Sequence, residues 1–266
     1  GSQLNDELMT RATNLKWIHT LASGTDWVWR LENLGDDILI TSTRGIHGPP
    51  VSEMGLMLMM GLGRGLPTFI DNQRAVNWVR HPGSLLHGKT VGILGVGAIA
   101  EELAPKCKAL GMTVVGISET ERQVAGFDRF AHRRELIEVA SELDYLILLV
   151  PYTPDTESII NAEILAAMKP TAYLINLARG GVVNEDDLIK AIQSKVIAGA
   201  GLDAFRTEPL PTDSPLWQME NVIVTPHNSG LYDEYPKQAL PILEHNLRCF
   251  LAAKPEDMIN RVDNVK

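Results

Sequence analysis

The sequence predicts an α/β protein built on a doubly wound parallel sheet. Short apolar runs alternate along the chain with segments of helical composition, which is typical of parallel strands joined by crossover helices. Runs such as residues 145–150 (YLILLV) are apolar throughout, as expected of strands buried on both faces of a sheet. At residues 89–111, one such run leads into a Gly-x-Gly turn and then a helix-forming segment, the strand–turn–helix unit of this fold class.

The individual elements follow from the same patterns. Ahead of a central strand at 91–94, we expect helix 3–12, strand 15–20, strand 38–41, helix 51–66 and helix 68–79. After it we expect strand 113–117, helix 136–140, strand 145–150, helix 163–168, strand 172–177, helix 186–194, strand 197–202, strand 222–224 and helix 235–253. The helix that follows the central strand contains Pro105 past its first turn, where a proline usually kinks a helix.

Composition narrows the class of protein. The 266 residues suffice for one large domain or two modest ones, and 45% hydrophobic with 21% charged residues is ordinary for a soluble globular protein. A formal charge of −9 argues against a nucleic-acid partner or an anionic membrane surface. The longest uncharged apolar stretch, residues 54–63, is about half of the ~20 residues that a membrane span needs. Cys107 and Cys249 have no metal or redox spacing, so we expect no metal site and a reducing cytoplasm.

The Gly-x-Gly turn matches the start of a dinucleotide-binding motif. Gly95 permits the tight turn, and Gly97 lets a pyrophosphate approach the backbone. The helix N-terminus that follows offers free N–H groups and a positive dipole to the anion. Ala100 replaces the third glycine of the motif, where a small residue is enough for close helix–strand packing. The alternative is an ordinary βα turn with two glycines, because the motif alone is a weak signal.

The end of the next strand bears on the choice between NAD and NADP(H). The acidic residue that binds the ribose 2′-hydroxyl of NAD is expected about twenty residues beyond the glycine motif, and Ser118 stands there. The hydroxyls of Ser118 and Thr120 could donate to a 2′-phosphate, and Arg122 could supply the positive charge. In the alternative, Glu119 binds the ribose and restores a preference for NAD. The alternation of side chains at a strand end favours NADP(H).

Three polar residues follow the later strands of the predicted sheet. Arg179, Glu208 and His227 come after the strands at 172–177, 197–202 and 222–224. Each alone is better explained as a structural or solvated residue, but ligands bind at the carboxyl ends of parallel strands, so we expect the three to lie together. The set suits reduction of a 2-keto acid. Arginine holds a carboxylate at two points, histidine exchanges a proton near neutral pH, and glutamate on the other ring nitrogen favours the imidazolium.

Five ordered segments resemble the D-isomer-specific 2-hydroxyacid dehydrogenases, in particular their glyoxylate/hydroxypyruvate reductase-like members. They are GKTVGILGVGAIA, VPYTPDT, INLARGGVV, LDAFRTEPLP and NVIVTPHNSG. The resemblance implies that His227 is the acid–base group, that Glu208 pairs with it and that Arg179 binds the substrate. It implies substrate contacts at the backbone of Ser23 and Gly24. It also implies further cofactor contacts at Ala98, Ile99, Pro151, Leu177, Ala178, Asp203 and Gly230.

The resemblance further implies two domains and a reaction. Residues 47–227 would bind the dinucleotide, and residues 1–46 with 228–266 would form a split, flavodoxin-like substrate domain that lacks its N-terminal part. The expected reaction is hydride transfer between NAD(P)H and a small 2-keto acid or D-2-hydroxy acid. A homodimer would form through the region of the helix at 51–66. The alternative is a nicotinamide-binding scaffold or sensor of the same fold without significant turnover.

Overall fold

The computed structural model describes residues 4–120 and 124–262. The chain divides into two compact units. One combines Gly1–His47 with Gly230–Lys266, and the other is Gly48–Ser229. The chain therefore passes between the units at two peptide bonds, His47–Gly48 and Ser229–Gly230.

The described residues form eight α-helices and nine β-strands. The helices are α1 Asp6–Arg11, α2 Gly48–Arg64, α3 Leu66–Arg74, α4 Ala98–Ala109, α5 Leu136–Ala140, α6 Ala162–Ala167, α7 Glu185–Gln193 and α8 Tyr235–Leu251. The strands are β1 Trp17–Thr20, β2 Leu39–Ser42, β3 Thr90–Leu94, β4 Thr113–Ser118, β5 Arg129–His132, β6 Tyr145–Leu148, β7 Tyr173–Asn176, β8 Gly199–Leu202 and β9 Val222–Val224.

The larger unit contains a seven-stranded parallel sheet in the order β5-β4-β3-β6-β7-β8-β9. The strand order reverses between β3 and β6, which pair side by side, and this is the switch point at which doubly wound sheets bind ligands. The predicted fold class is confirmed. The sequence pattern missed β5, the edge strand that pairs with β4, because its residues are only partly buried and form no apolar run.

Alternating side chains of the central strands enter two separate cores. Val91 and Ile93 of β3 pack with α2 and α4, whereas Leu94 belongs to the cluster that includes residues of α5, α6 and α7. The four residues of β6, Tyr145–Leu148, are all buried and are divided between the two cores in the same way. Helices on both faces thus leave the carboxyl ends of the strands as the place where loops can form a site.

Two helix boundaries differ from the prediction. α2 begins at Gly48 rather than residue 51, because prolines at 49 and 50 fit within a first helical turn. α3 ends at Arg74 rather than continuing to residue 79. The chain turns at Val76, which has a φ of 53°, a conformation that no helix continues. The ends of the other predicted elements shift by a few residues.

Pro105 does not end α4, which continues to Ala109. The loop at Gly126 packs against the helix at this point, since a Cβ added to Gly126 would lie 2.8 Å from the Pro105 nitrogen. A neighbouring backbone segment therefore approaches the helix closely at Pro105, the residue that has no backbone N–H group.

The smaller unit is built on the parallel pair β1 and β2, in which His19 lies opposite Thr41. Arg261 forms an isolated antiparallel bridge with Thr41, so the end of the described chain extends this sheet. Ile18, Val28 and Ile40 form its small apolar core. Over residues 4–120 and 124–262, no helix is long and apolar enough to cross a membrane, and no cluster of histidine, cysteine and acidic side chains could hold a metal.

Candidate active site

The loops at one edge of the seven-stranded sheet contain most of the residues that the sequence singled out. Parallel strands end at the same edge, so the segments that follow β3, β4, β6, β7, β8 and β9 are neighbours there. The segment after β3 contains Gly95, Gly97, Ala98 and Ile99, the end of β4 and the turn after it contain Ser118 and Thr120, and Pro151 follows β6. Leu177, Ala178 and Arg179 follow β7, Asp203 and Glu208 follow β8, and His227 follows β9. Arg122 lies outside the described residues.

His227 and Glu208 form a hydrogen-bonded pair. The ring Nδ1 of His227 lies 2.8 Å from Oε2 of Glu208. A carboxylate can only accept, so Nδ1 is the donor and Nε2 is the ring nitrogen that gains or loses a proton. The two side chains keep 40% and 36% of their surface exposed, which leaves the pair open to a small ligand.

The electrostatics of this pair favour an ionised glutamate. Burial alone would raise the pKa of Glu208. The hydrogen bonds from His227 and from the backbone N–H of Phe205, at 2.9 Å, together with the charge of Arg179, outweigh burial and lower the pKa below its ordinary value. Glu208 is therefore an anion beside the imidazole throughout the neutral range.

Buried Asn176 at the end of β7 shapes the loop that contains Arg179. Its Nδ2 donates to the Arg179 carbonyl at 3.0 Å, and its Oδ1 accepts the Ala178 N–H at 3.0 Å. Gly180 follows where the chain passes so close to Phe205 that an added Cβ would lie 1.9 Å from the Phe205 carbonyl carbon. Asn176 was not among the residues predicted from the sequence, because its only signal is one amide at the end of an apolar strand.

Asp203 holds the loop that contains His227. Its Oδ1 accepts the Thr225 hydroxyl at 2.6 Å and the Asn228 N–H at 3.0 Å, and its Oδ2 accepts the Ser229 N–H at 2.9 Å. The carboxylate is 1% exposed, so these bonds replace its hydration. This positioning role is a finding of the structure, and the cofactor contact that the resemblance implies for Asp203 stays a prediction.

The turn between β3 and α4 fits a dinucleotide pyrophosphate. Gly95 has a φ of 102°, and an added Cβ would lie 2.8 Å from the Val150 nitrogen, so the fold itself requires this glycine. Gly97 differs, because a Cβ there would meet no atom of the described chain within 4 Å. Gly97 also stands at the N-cap of α4, where no side chain caps the helix. The open space in front of an uncapped helix N-terminus is what a bound phosphate group requires.

The end of β4 contains a short side-chain hydrogen bond. The Ser118 hydroxyl donates to the Thr120 carbonyl at 2.6 Å, within the same turn. The Glu119 carboxylate lies 2.8 Å from the guanidinium of Arg133 and 3.5 Å from Nε2 of His132. Glu119 thus already has a cationic partner, Arg133, directly after β5.

The remaining predicted residues lie in the smaller unit. Ser23 and Gly24 belong to the turn after β1, and among the described residues no acceptor faces either backbone N–H group. Gly230 is the first residue after the chain returns to this unit, and an added Cβ would lie 2.9 Å from the His47 ring.

Comparison with known proteins identifies the family. The model of the NAD-binding domain of the D-isomer specific 2-hydroxyacid dehydrogenases matches residues 56–229. A glyoxylate reductase of Pyrococcus furiosus is 33% identical over 271 residues, covering 98% of this chain and 80% of that protein. The chain belongs to the D-isomer specific 2-hydroxyacid dehydrogenase family. It is an NAD(P)-dependent oxidoreductase of 2-hydroxy acids and the corresponding 2-keto acids.

Solved structures show the same relationship. A D-isomer specific 2-hydroxyacid dehydrogenase family protein from Aeromonas salmonicida has a TM-score of 0.87 and 34% identity, covering 97% of this chain and 81% of that chain. An NADPH-dependent glyoxylate/hydroxypyruvate reductase from Sinorhizobium meliloti, in complex with NADP and sulfate, has a TM-score of 0.85 and 29% identity. That match covers 99% of this chain and 83% of the reductase.

Proposed function

We propose that this protein reduces a small 2-keto acid of the glyoxylate or hydroxypyruvate type to the corresponding 2-hydroxy acid, in the D configuration where the product is chiral. The observation that carries the proposal is the His227–Glu208 pair at 2.8 Å, with Arg179 close enough to lower the pKa of the glutamate. The relatives named glyoxylate reductase and glyoxylate/hydroxypyruvate reductase support this substrate class.

Each residue of the set has its own part in the proposed reaction. A bound reduced nicotinamide supplies the hydride that adds to the carbonyl carbon. His227 donates a proton from Nε2 to the carbonyl oxygen, which completes the hydroxyl group. Glu208 accepts from Nδ1, fixes the ring orientation and stabilises the imidazolium before the transfer. Arg179 holds the carboxylate and polarises the adjacent carbonyl group.

The two units would divide the binding tasks. The unit Gly48–Ser229 would bind the dinucleotide, with the pyrophosphate at Gly97, Ala98 and Ile99, and the nicotinamide end near Pro151, Leu177 and Ala178. The smaller unit would contribute the backbone N–H groups of Ser23 and Gly24, which would donate to the substrate carboxylate. The unpaired state of these two N–H groups among the described residues supports that role.

A substrate panel tests the proposal. Glyoxylate, hydroxypyruvate, pyruvate and phosphohydroxypyruvate are each mixed with NADPH or NADH, and the loss of nicotinamide absorbance is followed. We expect glyoxylate or hydroxypyruvate to have the highest kcat/KM. No turnover on any of the four, with cofactor affinity retained, would favour a nicotinamide-binding scaffold over the enzyme.

NADP(H) is the proposed cofactor. The ion pair of Glu119 with Arg133 supports this preference, because a carboxylate that is already held by a guanidinium is a poorer ligand for the ribose hydroxyls. Ser118 adds no charge that would repel a 2′-phosphate, and Arg122 would supply the positive charge. The complex of the Sinorhizobium meliloti reductase with NADP points the same way.

A homodimer is the proposed assembly. Side chains of α2 and α3 line an open groove of about 460 Å³ that is mainly apolar, formed by Glu53, Leu56, Met57, Met60, Gly61, Arg64, Leu66 and Phe69. The segment after α3 exposes further apolar side chains, with Val76 at 93% and Trp78 at 94% exposure. Exposed apolar surface of this kind marks an interaction site. A second copy of the chain is the proposed occupant.

The cytoplasm is the proposed compartment. Both cysteines are unpaired, and burial raises the pKa of Cys107 to about 12, which keeps its thiol unreactive. Unpaired thiols of this kind suit a reducing compartment.

A further inference from the structure

Tyr235, the first residue of α8, connects the two strands of the smaller unit. Its hydroxyl lies 2.9 Å from the Leu21 carbonyl and 2.8 Å from the Thr43 hydroxyl. Leu21 directly follows β1, and Thr43 directly follows β2. One phenol oxygen therefore reaches the ends of both strands, although it lies about two hundred residues further along the chain.

The direction of the hydrogen bonds in this contact is fixed by chemistry. A carbonyl can only accept, so Tyr235 donates its single proton to Leu21, and the Thr43 hydroxyl must donate to the phenol oxygen. Burial raises the pKa of Tyr235, although the Thr43 hydrogen bond lowers it in part. The phenol therefore keeps its proton at neutral pH and remains a donor.

The contact determines how the turn after β1 begins. In a trans peptide the carbonyl and the following N–H point in opposite directions, so fixing the Leu21 carbonyl also fixes the Ala22 N–H. The Thr20 hydroxyl adds a bond to the Ala22 carbonyl at 3.2 Å. The next two N–H groups, of Ser23 and Gly24, have no acceptor among the described residues. The Leu21–Ala22 peptide, which Tyr235 holds, is thus followed directly by two N–H groups that have no acceptor among the described residues.

The Tyr235 ring is itself held in place by two aromatic neighbours. The His47 ring lies 5.7 Å away at 57°, and the Tyr232 ring lies 5.8 Å away at 83°. The hydroxyl of Tyr232 is buried and has no partner in the described part of the chain. Of these two tyrosines in ring contact, Tyr235 is the one whose hydroxyl donates to the backbone in the described part of the chain.

We infer that Tyr235 is a positioning residue for substrate binding, whose hydroxyl holds the turn at Ala22, Ser23 and Gly24 in the orientation that receives the carboxylate of the 2-keto acid. The inference rests on the proposed function, which assigns the substrate carboxylate to that turn. Tyr235 acts through the backbone and not on the reacting atoms.

The kinetic signature of this role is specific. The carboxylate is bound equally in the ground state and in the transition state, so loosening its turn raises KM and leaves kcat nearly unchanged. Removing one hydrogen bond of ordinary strength corresponds to about a three- to tenfold change. The KM for NADPH stays unchanged, because the dinucleotide motif lies in the other unit.

The experiment compares Tyr235→Phe with Tyr232→Phe, which removes a hydroxyl that has no partner. We expect the KM for glyoxylate to rise about three- to tenfold in Tyr235→Phe and to stay at the wild-type value in Tyr232→Phe. The dissociation constant of oxamate, an unreactive keto-acid analogue, should rise by the same factor. Thermal unfolding of both variants verifies that the fold is retained.

Different results would contradict the positioning role of Tyr235 and the proposed function. An unchanged oxamate affinity in Tyr235→Phe, or a loss confined to kcat, would overturn the positioning role even if the wild-type protein reduces glyoxylate well. A wild-type protein that neither reduces the keto acids nor binds oxamate would overturn the proposed function and the positioning role with it.

Discussion

At the scale of single residues, His227 stands out for its backbone as much as for its ring. It has a φ of 50°, in the left-handed region that residues other than glycine seldom adopt. Such a conformation costs free energy and persists where surrounding contacts impose it. Here Asp203 imposes it, because its buried carboxylate holds Thr225, Asn228 and Ser229 on either side of the histidine.

Replacing the arginine tests the grip on the carboxylate. Arg179→Lys keeps the positive charge but cannot donate two parallel hydrogen bonds to a carboxylate. We expect kcat/KM for the keto acid to fall about tenfold or more, with NADPH affinity unchanged, in steady-state assays. An unaffected variant would mean that the carboxylate is anchored elsewhere.

Replacing the glutamate tests the pairing with His227. Glu208→Gln turns the carboxylate that accepts from Nδ1 into an amide, which no longer fixes the ring tautomer and orientation, so kcat for keto-acid reduction should fall about tenfold or more, with NADPH affinity unchanged. In the wild type the lowered pKa of Glu208 means that the carboxylate's stabilising contribution is present at neutral pH and is lost only as pH falls through that lowered value. A kcat at the wild-type value in Glu208→Gln would contradict the pairing.

At the scale of elements, the turn after β4 governs cofactor choice. Ser118→Asp should lower kcat/KM for NADPH about tenfold or more, because the new carboxylate repels a 2′-phosphate. Ser118→Asn is the matched control, because asparagine has the shape of aspartate without its charge. It should lower kcat/KM for NADPH less than Ser118→Asp does.

Arg122→Ala belongs to the same experiment. We expect it to lower kcat/KM for NADPH while the value for NADH is unchanged. A wild-type preference for NADH, with no response to Arg122→Ala, would instead assign the ribose to Glu119.

The sequence predicted the elements that have a strong pattern and failed where the pattern depends on the environment. Buried strands such as Tyr145–Leu148 were found because both their faces are apolar. The edge strand Arg129–His132 has one neighbour and partial exposure, so no apolar run reveals it. Residues 76–79 were predicted to continue a helix, but Val76 and Trp78 are exposed and lie beyond the end of α3.

The sequence predicted the chemical groups of the candidate site but not the residues that hold its loops in place. The positions of Glu208 and His227 after neighbouring strands predicted that they meet, because parallel strands end together. The bonds of Asp203 and Asn176 join a side chain to the backbone of a loop that folds back on it. No spacing in the sequence encodes such contacts, so their roles emerged only from the structure.

At the scale of the whole molecule, the apolar groove of α2 and α3 predicts the oligomeric state. Met60 and Phe69 are 42% and 37% exposed within it. Met60→Glu and Phe69→Glu should each shift a dimer towards the monomer in sedimentation velocity, because an unpaired charge would be buried in the interface. Leu251→Glu, an exposed apolar position in the other unit, is the control and should leave the dimer intact. A wild-type protein that is monomeric at micromolar concentration would contradict the proposed assembly.

The most direct measurement of the central claim is the single-turnover rate of NADPH oxidation by glyoxylate in wild type, His227→Ala and His87→Ala. His87 is an exposed histidine just ahead of β3, at the opposite edge of the sheet, and serves as the control. We predict a loss of about two to four orders of magnitude for His227→Ala, the usual range for a general acid, with NADPH affinity kept and with His87→Ala at the wild-type rate. A His227→Ala variant that reduces glyoxylate at close to the wild-type rate would contradict the assignment of His227 as the proton donor.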